Sequence, residues 1–151
     1  MKKITLISLI CIFIDQITKL IIKNIINFNN SVIVIKNFFS LTYVKNYGAA
    51  WSILSGSRIF LITIALVSLF LIYNYFIKDK NLSKLEIITY GLLIGGIIGN
   101  LIDRIVFGYV IDFFDFLIFN YNFPVFNFAD IFIVVSAGLI IIDTVRGEVW
   151  K

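Results

Sequence analysis

Residues 85–107 read LEIITYGLLIGGIIGNLIDRIVF. A bilayer core takes about 20 helical residues to cross, and this run is long enough. Two features separate it from a plain anchor. Gly91, Gly95 and Gly99 recur at every fourth residue, a ridge of small side chains that lets another helix backbone come close. Asn100, Asp103 and Arg104 then follow at i, i+3 and i+4, sharing a sector of the last two turns. A charge inside lipid is expensive and points to function. The purely structural alternative is a polar clamp in which Asp103 and Arg104 neutralise each other.

Three further stretches, near 4–22, 57–77 and 128–146, are also long enough to span. The whole chain agrees with them. Its 151 residues are 60% hydrophobic and 15% charged, against about 45–50% and roughly 25% for soluble domains. Mean hydropathy is +1.01. The expectation is therefore one membrane domain over 1–151, an all-α integral membrane protein of four transmembrane helices with a small extracytoplasmic β-sheet on the membrane surface. Basic residues orient it. Lys2, Lys3, Lys78, Lys80, Lys84, Arg146 and Lys151 fall on one side, seven against Lys23, Lys36, Lys45 and Arg58 on the other. The more basic side faces the cytoplasm. Both termini are thus expected inside, with 24–56 and 108–127 facing outward.

Several classes of chemistry are excluded. Cys11 is the sole cysteine and histidine is absent. Internal disulfides, Ser-His and Cys-His pairs and zinc sites of the usual ligands all fall away. No basic cluster with interleaved aromatics suggests nucleic acid, and no metal or cofactor is expected. Met1-Lys2-Lys3 before an apolar run imitates a signal peptide, and Cys11 imitates a lipidation site. Ile10 is too large for a cleavage site, however, and the run continues to Ile22. The segment is expected to be an uncleaved first helix.

In the first outward segment, Ser31–Lys36 and Ser40–Lys45 are β-branched and aromatic around a break at 37–39, which predicts a small hairpin or sheet. Tyr47 to Leu54 is expected as a short interfacial helix with Trp51 at headgroup level. The second, 108–127, is aromatic-rich. Asp15 and Lys19 lie one turn apart on the first helix, a pair that fits packing and function equally. Asn127 can cap the fourth helix, with Asp130 in its first turn at the positive end of the dipole. Capping alone would explain those two. The same outer boundary, however, also gathers Asn100, Asp103, Arg104, Asp112 and Asp115. Carboxylates crowded at an apolar boundary split their pKa values, leaving one protonated and one ionised, as aspartic proteolysis requires. On the residues alone, Asp103, Asp112 and Asp115 all remain candidates to partner Asp130.

The segments Asp15-Gln16-Ile17-Thr18-Lys19, Asn46-Tyr47-Gly48-Ala49-Ala50-Trp51, Gly99-Asn100-Leu101-Ile102-Asp103-Arg104, Gly108-Tyr109-Val110-Ile111-Asp112-Phe113 and Phe126-Asn127-Phe128-Ala129-Asp130 together resemble the lipoprotein signal peptidase (signal peptidase II) family. They occur in family order and cover the chain from first helix to last. The resemblance implies a bacterial membrane aspartyl endopeptidase that cleaves prolipoproteins just before their diacylglyceryl-modified cysteine. It implies Asp112 and Asp130 as the catalytic dyad. Asn46, Asn100, Arg104 and Asn127 match positions that surround the dyad and hold substrate, with Asp15 and Lys19 as further substrate-site positions. The outward sheet would correspond to the family's membrane-surface cradle. Expected partners are lipidated prolipoproteins and membrane lipid, with a monomer as the working unit in the cytoplasmic membrane and the active site at its outer face. A small transporter using Asp15, Asp103 and Asp130 as an ion path is the rival reading. It predicts polar residues strung through the bilayer, whereas, apart from Asp15 and Lys19, they cluster at one boundary.

Overall fold

In a computed structural model, residues 1–48, 54–145 and 147 are described. Among them, four helices are long and apolar enough to cross a membrane: α1 (Lys2–Ile25), α2 (Arg58–Ile77), α3 (Lys84–Val106) and α4 (Phe128–Val145). The first extends past the expected 4–22 at both ends. The last turns of α2, Ile72–Ile77, widen into a π-helix. Ser83 and Glu86 close a reciprocal capping box at the start of α3. The interfacial helix expected at 47–54, with Trp51, falls largely on residues 49–53, outside the described residues.

The third helix is the centre of the bundle, packed between α1 and α4, with α2 attached mainly through it. Glycines set these distances. A Cβ on Gly95 would stand 2.5 Å from the Cβ of Cys11 in α1. One on Gly96, which lies off the four-residue ridge, would stand 2.6 Å from the carbonyl oxygen of Ala129 in α4. Small residues thus open two faces of α3, and Ser8 of α1 donates across one of them to the Gly91 carbonyl at 3.0 Å. At the C-terminal end of α3, Arg58 donates through Nε and Nη2 to the carbonyls of Arg104 and Ile105 at 2.7 and 2.8 Å, satisfying acceptors that the helix leaves open.

The all-α expectation needs correcting. A four-stranded antiparallel sheet runs β1 (Ser31–Ile35), β2 (Phe39–Asn46), β3 (Val110–Ile118), β4 (Tyr121–Asn122), so both outward segments build one sheet. Strand β3 sits where the sequence shows only an aromatic-rich segment. Its Asp112 and Asp115 are three apart, a spacing that breaks strand alternation and hides the period of two. Asn46 pairs with Val110 across β2 and β3, which brings Asn46 diagonally against Asp112 on the same face. Ile22, Ile26, Tyr43, Ile111 and Phe113 form a buried cluster that fixes the sheet on the C-terminal end of α1.

Candidate active site

The site begins with the way α4 starts. Asn127 Oδ1 accepts the Asp130 backbone N–H at 3.0 Å, while Asp130 Oδ2 accepts the Asn127 backbone N–H at 3.1 Å. This reciprocal cap satisfies two otherwise orphaned donors and holds the Asp130 carboxylate at the helix mouth. Its other oxygen, Oδ1, accepts from Asn100 Nδ2 of α3 at 2.8 Å.

The second carboxylate comes from the sheet. Asp112 is 2% exposed. Asn127 Nδ2 donates to its Oδ1 at 2.7 Å and Asn46 Nδ2 to its Oδ2 at 2.9 Å. Asn127 therefore touches both aspartates, joining the first turn of α4 to β3. An open cavity of ≈ 480 Å³ is bordered by Asp112, Asp130, Asn46, Asn100 and Arg104. Its other wall is apolar, with Phe123, Pro124, Phe126 and Val134. Arg104 reaches the Gly48 carbonyl at 2.8 Å through Nη2, and its charge faces first Asp130 and then Asp112. Two aspartates, three carboxamides and one guanidinium thus converge beside a greasy wall. Such a site can hold a water against a peptide carbonyl and move protons on both sides of it.

A model of the family described as Signal peptidase (SPase) II matches residues 7–146. The chain belongs to the signal peptidase II family. Like the other members it is a peptidase, and its four apolar helices make it a bacterial membrane protein. It is 44% identical over 139 residues to the lipoprotein signal peptidase of Halothermothrix orenii, covering 91% of both chains. It is 41% identical over 141 residues to that of Staphylococcus aureus, covering 93% of this chain and 86% of the other. A solved structure described as a bacterial membrane enzyme superposes with a TM-score of 0.89 at 38% identity, over 97% of this chain and 89% of that one. Another of the same description gives 0.85 at 38% identity, over 95% and 93%.

Not every expected site residue of this signal peptidase II chain reaches the cavity. Asp15 and Lys19 are 0% and 2% exposed and lie behind it. Lys19 Nζ bridges Asp15 Oδ2 at 2.8 Å and Asp103 Oδ2 at 3.1 Å, and Asp15 Oδ1 accepts the Ala129 backbone N–H of α4 at 3.0 Å. Neither is among the residues that border the cavity. They support the site from within the bundle. The clamp between Asp103 and Arg104 does not form either. Successive helix residues point to different sides. Asp103 accordingly turns to Lys19, Gln16 and the Ile111 backbone N–H, and Arg104 turns to the cavity. Sequence reasoning missed Gln16, which donates to Asp15, the Gly99 carbonyl and Asp103 at 3.2, 3.1 and 2.9 Å. A polar side chain inside an apolar helix, beside Asp15, was the available signal.

Burial pushes the Asp112 carboxyl up from its ordinary 3.8 to about 7, with nearby Asp130 adding to the rise; the Asn46 and Asn127 amides and Lys19 oppose it without prevailing. In the unfolded chain the group ionises near pH ~4. The fold therefore keeps a proton that the unfolded chain loses. The stability this contributes is complete below ~4 and is lost as pH rises through about 7. Asp112→Asn cannot ionise. Its melting temperature relative to the native protein should climb between about pH 5 and about pH 8. A difference that stays flat across that range would contradict the shift.

Proposed function

We propose that this chain is an aspartic endopeptidase that removes signal peptides from prolipoproteins, cutting just before the diacylglyceryl-modified cysteine. The observation carrying this reading is the pair of carboxylates joined by Asn127 at the mouth of a half-apolar cavity, in a chain whose relatives are named lipoprotein signal peptidases. With its carboxyl pushed up to about 7, Asp112 carries a proton below that pH and donates it to the scissile carbonyl oxygen. Asp130 takes a proton from the attacking water. The tetrahedral intermediate then collapses, breaking the C–N bond as a carboxyl returns a proton to the leaving amine. Arg104, Asn46, Asn100 and Asn127 hold the substrate backbone and the dyad, without metal.

The apolar wall takes lipid from the bilayer side. Each buried methylene contributes about 0.8 kcal/mol, so diacylglyceryl chains can align the scissile bond as well as anchor it. Purified protein in detergent should release a signal peptide from a lipidated prolipoprotein, and should cut the unlipidated precursor far more slowly. Equal rates on both would remove lipid from the recognition.

The membrane orientation has both termini cytoplasmic and the sheet and cavity outside. The cations on the sheet side have local work. Lys23 sits over the Phe107 ring at 4.1 Å, Lys45 over Phe28 at 4.4 Å, and Arg58 closes α3. In intact cells an impermeant thiol reagent should label cysteines placed in 30–45 or 115–122 and spare Lys80→Cys. Labelling of Lys80→Cys alone would invert the orientation.

A further inference from the structure

The carboxamides around the two aspartates share a property. Each has its oxygen engaged by a donor that fixes which way the amide faces. Asn46 Oδ1 accepts the Gly48 backbone N–H at 2.9 Å, and Asn127 Oδ1 accepts that of Asp130 at 3.0 Å. A backbone N–H has no lone pair to offer, so the two NH2 groups must face the other way, toward Asp112. Asn100 is held by side chains instead: its Oδ1 meets the Lys19 ammonium at 3.0 Å and Asn127 Nδ2 at 3.1 Å. The Asn127 NH2 has two hydrogens for three acceptors, Asn100 Oδ1, the Ile111 carbonyl and Asp112 Oδ1. Lys19 carries no such division. Its three hydrogens match three acceptors, Asp15, Asp103 and Asn100.

We infer that Lys19 is a positioning residue for hydrolysis: its third N–H holds Asn100 with the NH2 turned to Asp130. The inference rests on Asp112 and Asp130 being the reacting pair. Neutralising Asp15 and Asp103 would need only two of the three hydrogens, and the ammonium is not among the groups that border the cavity. Without Lys19, the Asn100 carboxamide can rotate and set its oxygen against the Asp130 carboxylate. Among the described residues, Arg104 of α3 and Asp112 of β3 face Asp130, and Lys19, Asp15 and Asp103 stand behind Asn100. A rotated Asn100 therefore removes a donor from the Asp130 side chain and sets an acceptor against it.

Lys19→Met alone leaves two buried carboxylates facing each other and can fail to fold. The test is Asp15→Asn/Lys19→Met, which keeps the net charge of the buried trio, since the amide oxygen introduced at position 15 still accepts from Ala129. With folding verified by a cooperative melt, kcat on the lipidated prolipoprotein should fall roughly ten- to a hundredfold. KM should stay within about threefold, because Lys19 does not border the cavity. On an Asn100→Ala background, the same pair should change kcat by less than about twofold. Native kcat, or a loss that adds in full to that of Asn100→Ala, overturns the inference. If the Met pair does not fold, Asp15→Asn/Lys19→Gln is read against the same outcomes, since its amide fills the space but can accept as well as donate. Asp112→Asn and Asp130→Asn are run beside it. If these remain active, the dyad is wrong; if they are dead while the balanced pair is native-like, only the role of Lys19 fails.

Discussion

Asp112→Asn and Asp130→Asn should each lower kcat by about a thousandfold or more while the protein folds and still binds a substrate-like inhibitor. Positioned proton transfer contributes about 10²–10⁴-fold, and each carboxyl here has a transfer that no neighbour can replace. Asn46 and Asn127 already point NH2 groups at Asp112, and Asn100 points one at Asp130. An amide cannot take over a proton from water. Asp115 provides the contrast. It lies two thirds of the way along the same strand, accepts from Thr42 Oγ1 at 2.7 Å, and does not border the cavity. Asp115→Asn should keep substantial activity. Near-normal turnover in Asp112→Asn together with a dead but folded Asp115→Asn would mean that the wrong carboxylate of β3 has been chosen.

Asp103→Leu should act on the fold instead, with a loss of about 3–5 kcal/mol, the range for breaking a buried charge pair. The side chain is 0% exposed. It ties three parts of the molecule together, accepting from Gln16 and Lys19 of α1 and from the Ile111 backbone N–H at the root of β3. Leucine fills the space and satisfies none of these donors. Ile111 also precedes Asp112, so loosening its N–H loosens the dyad. The measurement is a melt in detergent alongside turnover at low temperature. A variant that melts like the native protein yet has lost all turnover would move Asp103 into the chemistry.

Much of this architecture was legible because lipid simplifies the reading. Four long apolar runs admit few structures other than four helices, and a polar residue within them stands out against its background. Asn100, Arg104, Asn127 and Asp130 were visible for that reason; the structure brings Asn100, Arg104 and Asp130 to one cavity with Asp112 and Asn46, and Asn127 behind it to both aspartates. What stayed hidden depends on direction rather than on composition. Asp103 and Arg104 are neighbours in sequence, which invited a pair, but one turns into the bundle and the other outward. Asp15 and Lys19 lie on one helix face, yet spacing alone does not tell whether that face looks at substrate or at α3. Gly96 broke the four-residue rhythm of its neighbours because it serves a different partner, α4. The strand at Val110–Ile118 was obscured by its own carboxylates, one facing the cavity and the other Thr42.

The reciprocal cap at the head of α4 has a consequence for how this enzyme can change under selection. Asn127 and Asp130 begin a membrane helix with the same hydrogen bonds that present the proposed reacting groups. A mutation there that evades an inhibitor would lose catalysis, and would also lose about 1 kcal/mol of helix capping. Escape from a compound that grips these two side chains must therefore arise at positions with a single task, such as Phe123 or Val134 on the apolar wall, where a change of shape leaves the dyad and the helix start intact.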